Sequence, residues 1–170
     1  MIILEMDAAF TEIYEELLPV IYRFVAVRVP SCEVEDQTAE IIVKVWRAWP
    51  KFKGQSSLKT WALSIAYHQI ADYYRHLKRM PSVIPLEGSN ASDDGHSDHW
   101  LNMLSISQVL AGMTPQQAAV IQLRLAEGFS AVEAGRILGI SSTAVDSILY
   151  RAKKSFRKLY LGATGGGKNA

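Results

Sequence analysis

Apolar residues recur every three or four positions along almost the whole chain of 170 residues. That spacing predicts amphipathic α-helices, and no stretch shows the alternation typical of a half-buried strand. One segment interrupts the pattern, because residues 80–100 contain two prolines, two glycines, four serines and four acidic residues. We therefore expect an all-α chain in which two helical units are joined by a flexible linker over residues 81–100.

The unit before the linker, residues 1–80, is predicted to be a bundle of helices. Apolar spacing predicts one helix through residues 10–25, a second over about 34–49 and a third after a loop that contains Gly54. Acidic side chains at the start of the second helix favour that boundary, since the helix dipole attracts negative charge there. Ser56 or Ser57 is a suitable N-cap for the third helix.

The unit after the linker, residues 101–161, carries a helix-turn-helix pattern. Thr114 followed by Pro115 predicts a helix start. A short helix is expected to end at Gly139 and a longer one to begin near Ser142, with the small residue Gly135 where the two cross. Val145 and Leu149 are expected in the core, and residues 162–170 are expected to be disordered.

The formal net charge is only +1, but the charges are unevenly placed. No acidic residue lies between Glu40 and Asp72, and five basic residues do: Lys44, Arg47, Lys51, Lys53 and Lys59. A second basic cluster consists of Arg151, Lys153, Lys154, Arg157 and Lys158. Together the clusters favour two contacts with one polyanion. Solvated helix faces explain either cluster alone equally well.

The predicted third helix has an unusual mixed face. On a helical wheel its polar side carries Thr60, Ser64, Tyr67, His68 and Arg75. Phe52, Ile65 and His68, next to a basic loop, would suit an unstacked nucleobase through stacking, edge contacts and phosphate neutralisation. On periodicity alone, a core role for Phe52 and Ile65 with His68 at the surface is the better explanation.

The first unit resembles region two of the sigma-70 family, specifically the extracytoplasmic-function (group IV) sigma factors, through the stretch VEDQTAEIIVKVWRAWPKFKGQSSLKTWALSIAYHQIADYYR. The second unit resembles region four of the same family through MTPQQAAVIQLRLAEGFSAVEAGRILGISSTAVDSILYRAKKSFRKL. The resemblance implies a cytoplasmic protein, without cofactor, metal or catalysis, that directs bacterial core RNA polymerase to promoters and promotes strand opening. Its implied partners are the polymerase clamp coiled coil and flap, duplex and single-stranded promoter DNA, and an anti-sigma factor.

The resemblance also implies roles for individual residues. The polymerase-binding residues would be Asp36, Gln37, Glu40 and Lys44. The pocket and loop for the minus-ten element would comprise Ala48, Phe52, Lys53, Gly54, Gln55, Ser56, Ser57, Ile65 and His68. The recognition helix would contact the minus-thirty-five element through Ser141, Ser142, Thr143, Asp146, Ser147, Tyr150, Arg151 and Lys154.

The chain departs from the family pattern at several of these positions. His68 replaces the usual asparagine, and Asp146 and Ile148 stand where two cations are customary. Two lost phosphate contacts would weaken duplex binding. Asp146 could instead accept a hydrogen bond from a cytosine amino group, or it could be a surface acid.

Two other functions stay open at this point: a conventional helix-turn-helix regulator that acts without polymerase, and a sigma-like protein-interaction module. His96, Asp98 and His99 are weak metal-ligand candidates in the linker, with no further ligand nearby. The sequence shows no catalytic dyad, phosphate loop or nucleophile motif, so an enzyme is not expected. No apolar run approaches the ~20 residues that cross a membrane.

Overall fold

A computed structural model describes residues 2–79, 109–110 and 112–164. The chain divides into two compact units, Met1–Ser89 and Asn90–Ala170. Every regular element within the described residues is a helix, which confirms the all-α prediction. The predicted linker, residues 81–100, and its candidate metal ligands lie outside the described residues, and the limits predicted for the units remain predictions.

The first unit is built from three helices: α1 (Ile2–Ala26), α2 (Val34–Ala48) and α3 (Leu58–Arg79). Short 3₁₀ turns precede and follow α2, at Ser31–Glu33 and Trp49–Lys51. The three helices pack against one another, and Ile21, Ile41 and Leu63 contribute one fully buried side chain from each. The apolar stripes read from the sequence therefore face a common core.

The start of α3 is fixed by a serine cap. Ser57 Oγ accepts a hydrogen bond from the backbone N–H of Thr60 at 3.2 Å, and the two hydroxyls lie 2.8 Å apart. The Thr60 side chain is consequently buried rather than exposed on the polar side of α3, where the helical wheel placed it. A buried hydroxyl is tolerated here because Ser57 satisfies its hydrogen bond.

The second unit contains α4 (Pro115–Ile121), which continues as a π-helical turn over Gln122–Ala126, then α5 (Ala131–Leu138) and α6 (Ser142–Thr164). Thr114 caps α4 by accepting from the Gln117 N–H at 3.3 Å, as predicted. Both α4 and α5 pack on α6. Helix α6 ends at Thr164, three residues beyond the limit of 161 predicted for this unit.

Helix α5 begins with a capping box. Ser130 Oγ accepts from the Glu133 N–H at 3.2 Å, and the Glu133 carboxylate accepts from the Ser130 backbone N–H at 2.8 Å. Hydrogen bonds donated by the Ser130 hydroxyl and backbone lower the pKa of Glu133. The reciprocal bonds satisfy two N–H groups that the helix itself leaves without partners.

The turn between α5 and α6 depends on two glycines. Gly139 ends α5 in the left-handed conformation, with φ 68° and ψ 32°, which costs little only for a residue without Cβ. At Gly135 a Cβ would lie 2.6 Å from the carbonyl oxygen of Ile140. The close contact at Gly135 is therefore with the turn and the first residue of α6, whereas the sequence placed this small residue at the crossing of the two helices.

The core face of α6 differs in part from the prediction. Val145 is fully buried as expected, but Ile148 is also buried, at 7% exposure, whereas Leu149 is only half-buried. Ile148 thus faces the core of this unit rather than solvent. Of the two departures predicted to affect DNA binding, only Asp146 lies at the surface.

Candidate nucleic-acid interface

An aromatic cluster forms where the loop after α2 meets α3. The ring centroid of Phe52 lies 5.6 Å from that of Trp49 and 4.8 Å from that of Trp61. All three side chains are half-buried. Trp46, on the preceding helix α2, is 41% exposed. The two tryptophans hold the Phe52 ring in place while part of it remains accessible.

His68 lies on α3 three residues after Ile65, with Ile65 half-buried and His68 exposed. The Nδ1 atom of His68 is 2.6 Å from the carbonyl oxygen of Ser64. Because a carbonyl oxygen only accepts, Nδ1 must carry the proton, and Nε2 is the acceptor in the neutral ring. The Tyr67 ring meets the His68 ring edge-on at 5.9 Å. The local structure thus orients the His68 ring and leaves Nε2 as its hydrogen-bond acceptor.

The loop before α3 is mostly exposed. Gly54 has φ 66°, a conformation that favours glycine. Of the predicted loop contacts, Lys53, Gly54, Gln55 and Ser57 are exposed, and Ser56 and the nearby Ala48 are half-buried. Lys59 in the adjoining turn of α3 forms an ion pair with Glu16 of α1 at 3.4 Å. Lys59 of the basic cluster therefore forms an ion pair within the unit, whereas Lys53 is the exposed lysine of the loop.

Helix α2 presents a charged face to solvent. Asp36, Glu40 and Lys44 are exposed at four-residue steps. Gln37 is buried and accepts a hydrogen bond from Nε2 of Gln69 at 3.2 Å. This burial contradicts the expectation that Gln37 contacts polymerase directly. The signal was present in the sequence, since Gln37 lies four residues before Ile41 and three after Val34, on the apolar stripe.

The solvent-facing side of α6 gathers most of the residues predicted for the recognition helix. Thr143, Asp146, Ser147, Tyr150, Arg151 and Lys154 are exposed at three- and four-residue steps, with Ser141 exposed just before the helix and Ser142 half-buried. Tyr150 is 76% exposed. Ser141 Oγ caps the helix by accepting from the Ala144 N–H at 3.2 Å. A continuous polar face of this kind opposite the buried Val145 suits the floor of a DNA major groove.

Two family models match this chain: Sigma-70 region 2 over residues 13–80 and Sigma-70, region 4 over residues 103–156. The ECF RNA polymerase sigma factor ShbA of Streptomyces griseus is 31% identical over 135 residues, which cover 74% of this chain and 71% of that protein. The chain belongs to the extracytoplasmic-function sigma factors of the sigma-70 family. The sequence resemblance is thereby confirmed.

Other comparisons agree with this assignment. This sigma factor is 29% identical over 163 residues to the ECF RNA polymerase sigma factor SigX of Bacillus subtilis, covering 90% of this chain and 84% of that protein. Its fold is similar to that of the sigma factor RpoE in complex with the anti-sigma factor NepR from Bartonella quintana, with a TM-score of 0.74 and 22% identity. That likeness covers 89% of this chain and 96% of the other.

The family match favours a sigma factor over the conventional regulator that the sequence left open. A conventional helix-turn-helix regulator accounts for the second unit alone, whereas the region 2 model matches residues 13–80. The chain is therefore an RNA polymerase sigma factor, which directs the polymerase to promoter DNA. In the described part of the chain, no helix is long and apolar enough to cross a membrane. No group of three or more metal-binding side chains occurs there either.

Proposed function

We propose that this sigma factor docks on core RNA polymerase through the charged face of α2 and captures a minus-ten base beside His68. The α6 face would read the minus-thirty-five element as duplex. The protein would work in the cytoplasm and perform no chemical reaction of its own, since binding energy alone holds the opened strand. The observation that carries the proposal is the hydrogen bond from His68 Nδ1 to Ser64, which orients an exposed ring about two turns along α3 from Trp61 of the aromatic cluster.

The proposal of a base-binding pocket is supported by the restrained position of the Phe52 ring. Phe52 contacts Trp49 and Trp61, so its ring needs little ordering when a base arrives, and preorganisation of this kind increases affinity. Ile65 and Phe52 would supply apolar contact with the base, and Nε2 of His68 would accept from an amino group on its edge. Lys53 in the loop would neutralise a phosphate of the captured strand.

The DNA-facing side of α6 is proposed to divide two tasks. Arg151 and Lys154 would contact phosphates and position the helix, whereas the exposed Asp146 and Tyr150 are placed for contact with base edges. A carboxylate at Asp146 can accept from a cytosine amino group. In the intact initiation complex the second unit would also touch the polymerase flap.

We further propose that an anti-sigma factor regulates this chain. Two solved structures with a similar fold are complexes: the sigma factor RpoE with the anti-sigma factor NepR, and CnrH with the cytosolic domain of CnrY. The CnrH structure has a TM-score of 0.69 and 20% identity and covers 90% of this chain. Support for this partner is the shared fold alone.

Run-off transcription with purified core polymerase tests the main proposal. We expect the free chain to bind promoter duplex poorly, because the proposal assigns promoter recognition to the complex with core polymerase. The chain and core together should start transcripts at one defined position, and core alone should not. Tight protection of a defined duplex by the free chain, with no transcription when core is added, would contradict the proposal.

Replacing Arg151 with alanine should weaken promoter binding to a similar extent on different sequences. Its Nε donates to the Ser147 carbonyl at 3.3 Å while the side chain stays exposed, which suits a phosphate contact. The logarithmic salt dependence of binding should fall by about 0.9 for one lost contact. The measurement is the affinity of the polymerase-bound chain for two promoter duplexes at several salt concentrations.

Lys153→Ala is the matched control, because Lys153 is an exposed cation that lies about 160° around α6 from Arg151. It should change the salt dependence less than Arg151→Ala does. A loss confined to one promoter sequence, with an unchanged salt dependence, would mean that Arg151 reads a base.

A further inference from the structure

The amide of Gln69 joins α3 to α2 inside the first unit. Gln69 is 7% exposed, and its Nε2 donates to Oε1 of Gln37 at 3.2 Å and to Oε2 of Glu40 at 2.6 Å. Its Oε1 accepts a hydrogen bond from Nζ of Lys44. Both donors of the amide group are thereby used, and its carbonyl oxygen is paired with a cation.

The charges on α2 fix the orientation of this amide. Rotating it by half a turn would set its NH₂ group against the Lys44 ammonium and its oxygen against the Glu40 carboxylate. Two attractive, charge-assisted hydrogen bonds would become two repulsive contacts. Gln69 therefore matches the order of charges on α2, where an acid is followed one turn later by a base.

This network runs from the core to the surface. Gln37 and Gln69 are buried, whereas Glu40 and Lys44 are exposed. The two exposed ends are side chains that the proposed function sets against core polymerase. Long charged side chains at a surface normally sample many rotamers, and ordering them on binding costs free energy. Here the amide beneath them orders both before the partner arrives.

We propose that Gln69 is a positioning residue for polymerase docking, because it holds the Glu40 carboxylate and the Lys44 ammonium in one arrangement. This inference rests on the proposed docking role of α2. Gln69 does not touch polymerase itself. It acts through the two charges, and its contribution disappears if they are absent.

The test compares full-length variants for affinity to the core RNA polymerase with which the chain initiates. In Gln69→Met an unbranched side chain of similar size fills the space without forming hydrogen bonds, so packing between α2 and α3 is retained. We expect affinity for core polymerase to fall about tenfold, because two side chains must then be ordered on binding. Ile70→Val is the matched control: it trims the adjacent buried side chain and should change the affinity by less than about twofold.

The deciding comparison uses the Glu40→Ala/Lys44→Ala background. We expect that double variant to bind core polymerase weakly, and we expect Gln69→Met to weaken it no further, because nothing remains to be positioned. An equal loss from Gln69→Met with and without the two charges would mean that the amide acts through helix packing, and would overturn the inference.

The remaining outcomes separate the two proposals. If Glu40→Ala/Lys44→Ala binds core as tightly as the parent chain, α2 is not the docking surface and both proposals are wrong. If that variant binds weakly but Gln69→Met binds like the parent, only the positioning role is wrong. Should Gln69→Met not fold, Gln69→Asn gives the same comparison, because its amide is one methylene too short to reach both charges.

Discussion

Replacing His68 with alanine should slow promoter opening about tenfold, which corresponds to ~1.4 kcal/mol and lies within the range for one hydrogen bond. Affinity for core polymerase and thermal stability should stay close to those of the parent chain. His68 is exposed and its one hydrogen bond within the described residues is to the Ser64 carbonyl. Water can replace the ring as a donor to that carbonyl, so the fold loses little.

The measurement is the rate of opening on a duplex promoter with the polymerase-bound variant. His76→Ala is the matched control, since His76 is a second exposed histidine on α3, eight residues further along the helix. Its loss should leave the opening rate unchanged. A promoter that is already melted should still bind the His68 variant more weakly, because the captured base has to be held after opening.

The base contacted by His68 can be found by varying the minus-ten bases. With Nδ1 bonded to Ser64, the neutral ring offers Nε2 as an acceptor, so the parent chain should favour a base that presents an amino group. The His68→Ala variant should lose that preference at one position and keep it elsewhere. If the variant retains the same preference at every position, His68 does not read the captured base.

Replacing Gly135 with alanine should destabilise the second unit by about 1–3 kcal/mol, the usual cost of forcing extra volume into a packed site. The new Cβ would lie 2.6 Å from the Ile140 carbonyl oxygen. That oxygen belongs to the backbone of the turn, and the Ile140 N–H donates to the Gly135 carbonyl at 2.9 Å. The turn cannot move away from the methyl group without breaking this bond and tilting α5 against α6.

Hydrogen exchange of the full-length chain measures this effect locally. Exchange should accelerate in α5 and α6 and stay unchanged in α1, α2 and α3, because those helices belong to the other compact unit. Val132→Ala, at an exposed position of the same helix, should leave exchange in α6 unaltered. Unchanged protection of α6 in Gly135→Ala would show that the turn relaxes at little cost, contrary to this expectation.

Local interactions account for what the sequence by itself determined. Helix starts at Ser57 and Thr114, and the α5 end at Gly139, follow from side-chain caps and backbone conformation within a few residues. Such signals act over short distances and are readable without knowledge of the fold. The residues expected on the exposed face of α6 came from the family resemblance. The family resemblance then supplied the functions of these surfaces.

Whether a residue at the margin of a helix face is buried or exposed depends on the tertiary structure. Gln37 was expected to contact polymerase and Thr60 to lie on the polar side of α3, but each is buried and bonded, to Gln69 and Ser57 respectively. A wheel shows directions around one helix and cannot show which neighbour supplies a hydrogen-bond partner. Burial of a polar group is inexpensive only when such a partner exists.

The exposure of the candidate site residues also depends on how the helices pack. Ile148 was aligned with a DNA-contacting position, but the packing of α6 turns it into the core. The cluster of Phe52 with Trp49 and Trp61 arises because a 3₁₀ turn and the loop at Gly54 return the chain to α3. The path of a loop is set by the elements that it joins. The family resemblance could therefore name candidate pocket residues, but only the packed helices determine which of their surfaces remain accessible.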